Sequence, residues 1–218
     1  MSDTPAVLIV GAGAIGALVG HALSKQGAQV SVTCRSDFDA VKRNGYLIQS
    51  ARETVQFRPA AVLRDAGEYA GTAAYIVVCV KITADIDRVA LLRPAVRSGT
   101  CIVLIENGID IEAQVAIAFP QNELASAVAY AGVSRTEPGK VVATMDASLV
   151  VGGYPHSPGD ATRRFAALCA EGGLPTRVTE NLQSARWQKA VWNAVFNPVS
   201  VLGGAADTKT MLEGSDGE

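Results

Sequence analysis

Val7-Leu8-Ile9-Val10-Gly11-Ala12-Gly13-Ala14-Ile15-Gly16 runs four apolar residues into a Gly-x-Gly-x-x-Gly turn, and residues 17–26 continue in a helical pattern up to Gly27. This order predicts a strand, a phosphate-binding turn and a helix start. Each glycine has its own physical reason: Gly11 permits the tight turn, Gly13 lets the backbone approach a pyrophosphate, and Gly16 lets the helix pack closely on the strand. The free N–H groups at the helix start then face an anion. Gly11, Ala12, Gly13, Ala14, Ile15 and Gly16 are thus the expected cofactor-binding turn of a dinucleotide site. The alternative is a loop of glycines with no ligand. A strand before the turn and a helix after it speak against that.

Residues 29–34 read as the next strand. At its end, about twenty residues beyond the glycine turn, an NAD-binding fold places Asp or Glu on the adenosine ribose. This chain has Arg35-Ser36 there. A planar, permanently charged guanidinium suits a 2′-phosphate, so NADP is expected over NAD; a solvated surface arginine is the alternative reading.

Further along, Tyr46–Gln49 and Thr54–Phe57 read as short strands around a polar turn. Residues 74–80 form a continuous β-rich apolar run, the mark of a parallel strand buried on both faces, and it delivers Lys81 to its carboxyl end. Ligands of open α/β sheets bind at those ends, which makes Lys81 a cofactor-site candidate. A helix is expected over 85–92 and a strand over 101–104, running into Glu106-Asn107-Gly108. Asn107 is readable either as a turn residue or as a contact to cofactor or substrate. Residues 125–130, 141–144 and 147–152 are expected to pair as an antiparallel extension of the sheet. A helix with Asp160 as N-cap should stop at Gly172-Gly173, and a last short strand covers 176–178.

The predicted fold class is therefore α/β, a Rossmann-like doubly wound parallel sheet with an antiparallel extension, followed by the start of a helical C-terminal domain. Residues 1–179 would be the NADP-binding domain and 180–218 the first part of an incomplete helical substrate domain. A net charge of −2 with scattered Lys and Arg offers no footprint for nucleic acid or an anionic membrane. The N-terminus has no signal-peptide pattern, and no apolar run reaches the roughly 18 residues of a membrane span, so a cytoplasmic location is expected. Cys34, Cys79, Cys101 and Cys169 lack Cys-x-x-Cys spacing and read as reduced core residues, with no metal expected.

Leu182–Leu202 reads as one long helix with Lys189, Asn193 and Asn197 four residues apart. Residues at i, i+4 and i+8 share a face, giving a polar stripe about 12 Å long. Val191, Trp192, Val195 and Phe196 imply burial of this helix, and a buried Lys-Asn-Asn stripe needs partners. A solvated outer face is the alternative. Pro198 is expected to kink or break the helix beside Asn197.

Taken together, the glycine turn, Lys81, Glu106-Asn107-Gly108 and Lys189-x-x-x-Asn193-x-x-x-Asn197-Pro198 resemble the ketopantoate reductase family, in the same order. The helix motif is the more specific part, because many dehydrogenases share the glycine turn. The resemblance implies NADPH-dependent reduction of ketopantoate or a related 2-oxo acid, in the route to pantothenate and coenzyme A. It implies Lys189 as general acid, Asn193 and Asn197 on the substrate, Asn107 between nicotinamide ribose and substrate, Lys81 near the cofactor ribose and Arg35 on the 2′-phosphate. Family members continue with further helices that supply a serine and a glutamate, whereas this sequence stops at Glu218. Three expectations follow: a polar, frayed tail over 206–218, an apolar helix face that invites association, a homodimer included, and NADPH binding that outlasts turnover. Two other readings stay open, a different 2-oxo or β-hydroxy acid dehydrogenase of the same plan and a catalytically silent NADP-binding module.

Overall fold

A computed structural model describes residues 4–202 and Gly204. The opening unit is β1 (Ala6–Val10), α1 (Ala14–Lys25) and β2 (Gln29–Thr33), and α2 (Phe38–Asn44), the hairpin β3 (Tyr46–Gln49) and β4 (Thr54–Phe57), and β5 (Ala61–Leu63) follow. Then come β6 (Tyr75–Val78), α3 (Arg88–Leu92), β7 (Cys101–Ile105), α4 (Ala113–Ala118) and β8 (Leu124–Tyr130). The remaining elements are β9 (Val133–Glu137), β10 (Lys140–Ala143), β11 (Ser148–Tyr154), α5 (Asp160–Glu171), β12 (Thr176–Val178) and α6 (Leu182–Leu202).

Eight strands form the main sheet in the order β12-β11-β8-β7-β6-β1-β2-β5. From β8 to β5 the neighbours are all parallel, while β11 runs antiparallel to β8 and takes β12 parallel beside it. The chain leaves β1 toward β2 and β5, then returns to place β6 on the other side of β1. That reversal opens a crevice at the carboxyl ends of β1 and β6, where such sheets bind ligands.

Alternation along the central strands builds two cores. Val7 and Ile9 of β1, with Val77 and Val103, face the layer holding Val19 and Leu23 of α1 and Phe165 of α5. Leu8 and Val10, with Ile76, Ile102 and Leu104, face Leu92 of α3 and Val115 of α4. Each such side chain, fully buried, contributes about 1.5–3 kcal/mol. Strands covered on both faces need no polar alternate, which is why β6 and β7 read as unbroken apolar runs.

A second sheet of order β4-β3-β10-β9 packs against α1. This corrects the expectation that residues 141–144 extend the main sheet: they form β10, parallel to β3 and antiparallel to β9. The polar, exposed residues of β9 cannot enter a sheet covered on both faces, so the hairpin turns away and only β11 and β12 extend the main sheet. Two helix starts also differ. α3 begins at Arg88 rather than 85, because the Asp87 carboxylate accepts the Ala90 amide at 3.0 Å and caps it. Asp160 is the first residue of α5 instead of its N-cap; the Glu123 carboxylate accepts the amides of Ala161 and Thr162.

α6 spans the predicted residues without a break at Pro198. Only Leu182, Ala185 and Arg186 are buried, and Val191, Trp192, Val195 and Val199 are exposed, against the expectation of a buried helix. The cause is geometric: α6 packs on β8 and β11, and its buried residues all lie in its first two turns. The expected frayed tail over 206–218 lies outside the described residues. Among the described residues, no helix is long and apolar enough to cross a membrane. All four cysteines are free thiols, and Cys34, Cys101 and Cys169 are buried.

Candidate active site

The glycine turn closes β1 onto α1 through three distinct environments. Gly11 has φ +80°, and a Cβ there would meet Val80 Cγ1, beyond the end of β6, at 2.4 Å. Its amide donates to Thr33 Oγ1 at 3.1 Å, and the Ala12 carbonyl accepts the buried Tyr46 hydroxyl at 2.6 Å. A Cβ on Gly16 would stand 3.1 Å from Ile9 Cγ2, which sets the close packing of α1 on β1. Above Gly13 there is nothing within 4 Å of an added Cβ. The residue is exposed at the first turn of α1, whose leading amides are free of side-chain caps. An open glycine at a helix N-terminus fits a pyrophosphate.

The adenosine end would lie beyond β2. Arg35 and Ser36 are exposed there. Asp37, the acid nearest the strand end, is buried: Oδ1 pairs with the Arg135 guanidinium and accepts the Ser36 hydroxyl, and Oδ2 accepts the Gly139 amide at 3.2 Å. Because β5 pairs with β2, placing Leu63 opposite Thr33, Arg64 leaves the same sheet end as Arg35. Its guanidinium carbon lies 3.9 Å over the Phe38 ring. The short strand β5 carries little sequence signal, and Arg64 was not foreseen.

At the other end, one cleft is lined by Glu106, Asn107, Gly108, Val128, Arg186, Lys189, Ala190 and Asn193. β7 delivers Asn107 and α6 delivers Lys189 and Asn193, so three of the expected residues meet from two distant parts of the chain. Asn197 lies one turn further along α6 and Lys81 lies exposed beyond β6; neither lines this cleft. The Lys189 Nζ sits 5.0 Å from the centroid of the Tyr130 ring. Burial holds its ammonium below the usual lysine range.

Beneath the cleft is a charged cluster that sequence reasoning missed. Arg186 donates to the Glu112 carboxylate and the Ser126 hydroxyl, and to the carbonyls of Glu106 at 3.0 Å and Gly108 at 2.9 Å. Arg88 donates to Glu106 Oε2 at 3.1 Å and the Ile111 carbonyl at 2.8 Å. Burial raises the Glu106 carboxyl, opposed by Arg88, and lowers Arg186, opposed by Glu112. Two oxygens, Glu106 Oε1 and Glu112 Oε2, have no hydrogen-bond partner among the described residues. No usable signal for this cluster stands in the sequence, because Arg186 lies among Gln183, Ser184 and Gln188 in the first turns of α6 and reads there as a surface charge.

Residues 7–156 match the family described as ketopantoate reductase PanE/ApbA. The chain belongs to that family. The 2-dehydropantoate 2-reductase of Methylococcus capsulatus, a crystal structure, is 46% identical with a TM-score of 0.86, covering 97% of this chain and 68% of that one. Its counterpart from Geobacter metallireducens GS-15 is 29% identical with a TM-score of 0.82, over 89% and 64% of the two chains. The 2-dehydropantoate 2-reductase of Nostoc sp. is 24% identical over 210 residues, 94% of this chain and 66% of that protein. This member of the ketopantoate reductase family thus spans about two thirds of the length of the relatives it matches.

Proposed function

We propose that the chain binds NADPH along the carboxyl ends of β2, β1, β6 and β7 and reduces ketopantoate (2-dehydropantoate) to pantoate, a step toward pantothenate and coenzyme A. When bound, the cofactor supplies the hydride. The observation that carries the reading is the cleft in which Asn107 faces Lys189 and Asn193. Residues 1–179 hold the cofactor in this reading, and 180–218 begin the substrate domain.

Lys189 is the general acid. Negative charge develops on the ketone oxygen during reduction, and an ammonium in hydrogen-bond reach both stabilises and protonates it. A depressed pKa makes that proton easier to give. Asn193, one turn along the same face, orients the substrate's polar groups, and Asn197 does so further out. Asn107 spans cofactor and substrate, Gly11 to Gly16 carry the pyrophosphate, Lys81 serves the ribose and Arg35 the 2′-phosphate.

Following NADPH oxidation with ketopantoate as substrate tests the reading. Turnover that is lost in Lys189→Ala, with NADPH binding intact, is the expected result. NADPH binding without turnover in the wild type would sink the reductase reading and leave a silent NADP-binding module. That second reading has its own support in the exposed apolar residues of α6.

A further inference from the structure

Asn107 stands between two carbonyls held by one guanidinium. Arg186 Nη1 donates both its protons, to the carbonyl of Glu106 on one side and of Gly108 on the other. The loop they bracket lies past the end of β7 and contains Gly108 at φ +124°, a conformation that other residues rarely adopt. Nothing in the β7 ladder fixes it, since the pairing with β8 ends at Ile105. Meanwhile Nε and Nη2 tie the same guanidinium to Glu112 and Ser126, both fully buried. Arg186 lies on α6 one turn before Lys189 and is 3% exposed.

We infer that Arg186 is a positioning residue, fixing Asn107 against the Lys189–Asn193 face and so setting the nicotinamide end of the site. The inference rests on the proposed nicotinamide nucleotide site. The residue type follows from the geometry. Two carbonyls, a carboxylate and a hydroxyl lie around one planar group, and four of the five N–H donors of arginine meet them. A lysine ammonium has three donors without a fixed fork and cannot span the set. The charge is compatible with burial because Glu112 lies against it, and the loop carbonyls receive charge-assisted bonds, about twice as strong as neutral ones. One side chain therefore couples the loop of the cofactor sheet to the helix that carries the proposed acid.

Arg186→Met and Arg186→Lys, each alone and combined with Asn107→Ala, test this through two dissociation constants. NADPH reaches the nicotinamide end, whereas 2′,5′-ADP occupies the adenosine end alone. Both Arg186 variants should weaken NADPH about tenfold, the loss of a charge-assisted bond or two, and leave 2′,5′-ADP within about twofold. In the Asn107→Ala background the Arg186 change should add little, since it acts through Asn107. Equal weakening of both ligands, or effects that multiply in the double variant, overturns the inference. If Arg186→Met does not fold, the lysine variant decides. Wild-type binding of NADPH without turnover removes the reductase reading but leaves the ratio of constants decisive for Arg186. Failure of the wild type to bind either ligand overturns both.

Discussion

The Asp37 carboxylate is locked into an ion pair with Arg135, two residues past Arg35, at the strand end where NAD sites present a free acid to the ribose. With Oδ2 also bound to the Gly139 amide and the residue 3% exposed, Asp37 lacks the exposure to do so. In the proposed site the second sheet therefore bears on cofactor choice, because Arg135 comes from β9. Arg135→Ala should leave an uncompensated carboxylate beside the 2′-phosphate position and weaken NADPH about tenfold at low salt, with NADH affected less. Arg35→Asp should do more and reverse the preference. Titration of each variant with both cofactors checks this, and an unchanged NADPH/NADH ratio in Arg35→Asp would remove Arg35 from the phosphate site.

The hydroxyl of Tyr46 reaches from β3 to the Ala12 carbonyl inside the glycine turn, while its ring stacks on Phe57 at 5.9 Å. Tyr46→Phe keeps the stack and leaves a buried carbonyl without its donor. The expected cost is about 1–3 kcal/mol in denaturant unfolding. NADPH affinity should fall with it, because the turn loses a strut. A variant as stable as the wild type would mean that water replaces the hydroxyl.

The role proposed for Lys189 ties activity to pH with a definite sign. As the acid it must carry its proton, so kcat/KM should fall as pH rises through its pKa. Burial lowers that pKa, so the alkaline limb should lie below the ordinary lysine value. Between the lowered and the ordinary value the unfolded chain binds more protons than the folded one, so stability should rise with pH across that window. Lys189→Met should abolish both the limb and this part of the stability rise, with turnover down by about 10²–10⁴. A pH–rate profile and unfolding midpoints over the same buffers separate the two effects.

The legible parts of this chain were those with a long pattern or a repeated spacing. The glycine turn, the unbroken apolar runs of β6 and β7 and the bounds of α6 follow from sequence, because local backbone chemistry or burial on both faces decides them, whereas the break expected at Pro198 and the burial expected of α6 do not occur. The second sheet did not, since β10 and β11 have similar composition and only their partners differ: β3 for one, β8 for the other. Short elements such as β5 and α4 carry too few residues for a period to show. Arg186 and Glu112 stayed hidden for another reason. A lone charged residue in a sequence reads as surface, and only the meeting of α6 with the segments around β7, α4 and β8 shows that these two charges are buried and paired.

Gly13 and Gly172 should separate binding from stability. A Cβ on Gly13 meets nothing of the protein within 4 Å, and its φ of −81° suits any residue, so Gly13→Ala should change the unfolding free energy by less than about 0.5 kcal/mol. The new methyl would instead occupy the space through which a pyrophosphate approaches the turn, and NADPH affinity should drop by about tenfold or more. At Gly172 the position is the reverse. An added Cβ would lie 2.0 Å from the Ala22 carbonyl oxygen, a backbone atom of α1 that cannot rotate aside. Gly172→Ala must push the end of α5 off α1, at a cost of about 1–3 kcal/mol or more. That site lies on the helix layer rather than among the cofactor loops, so NADPH affinity per folded molecule should be kept. Unfolding curves and cofactor titrations on the two variants give four numbers, and a Gly13→Ala variant that binds NADPH like the wild type would count directly against the glycine turn as the pyrophosphate site.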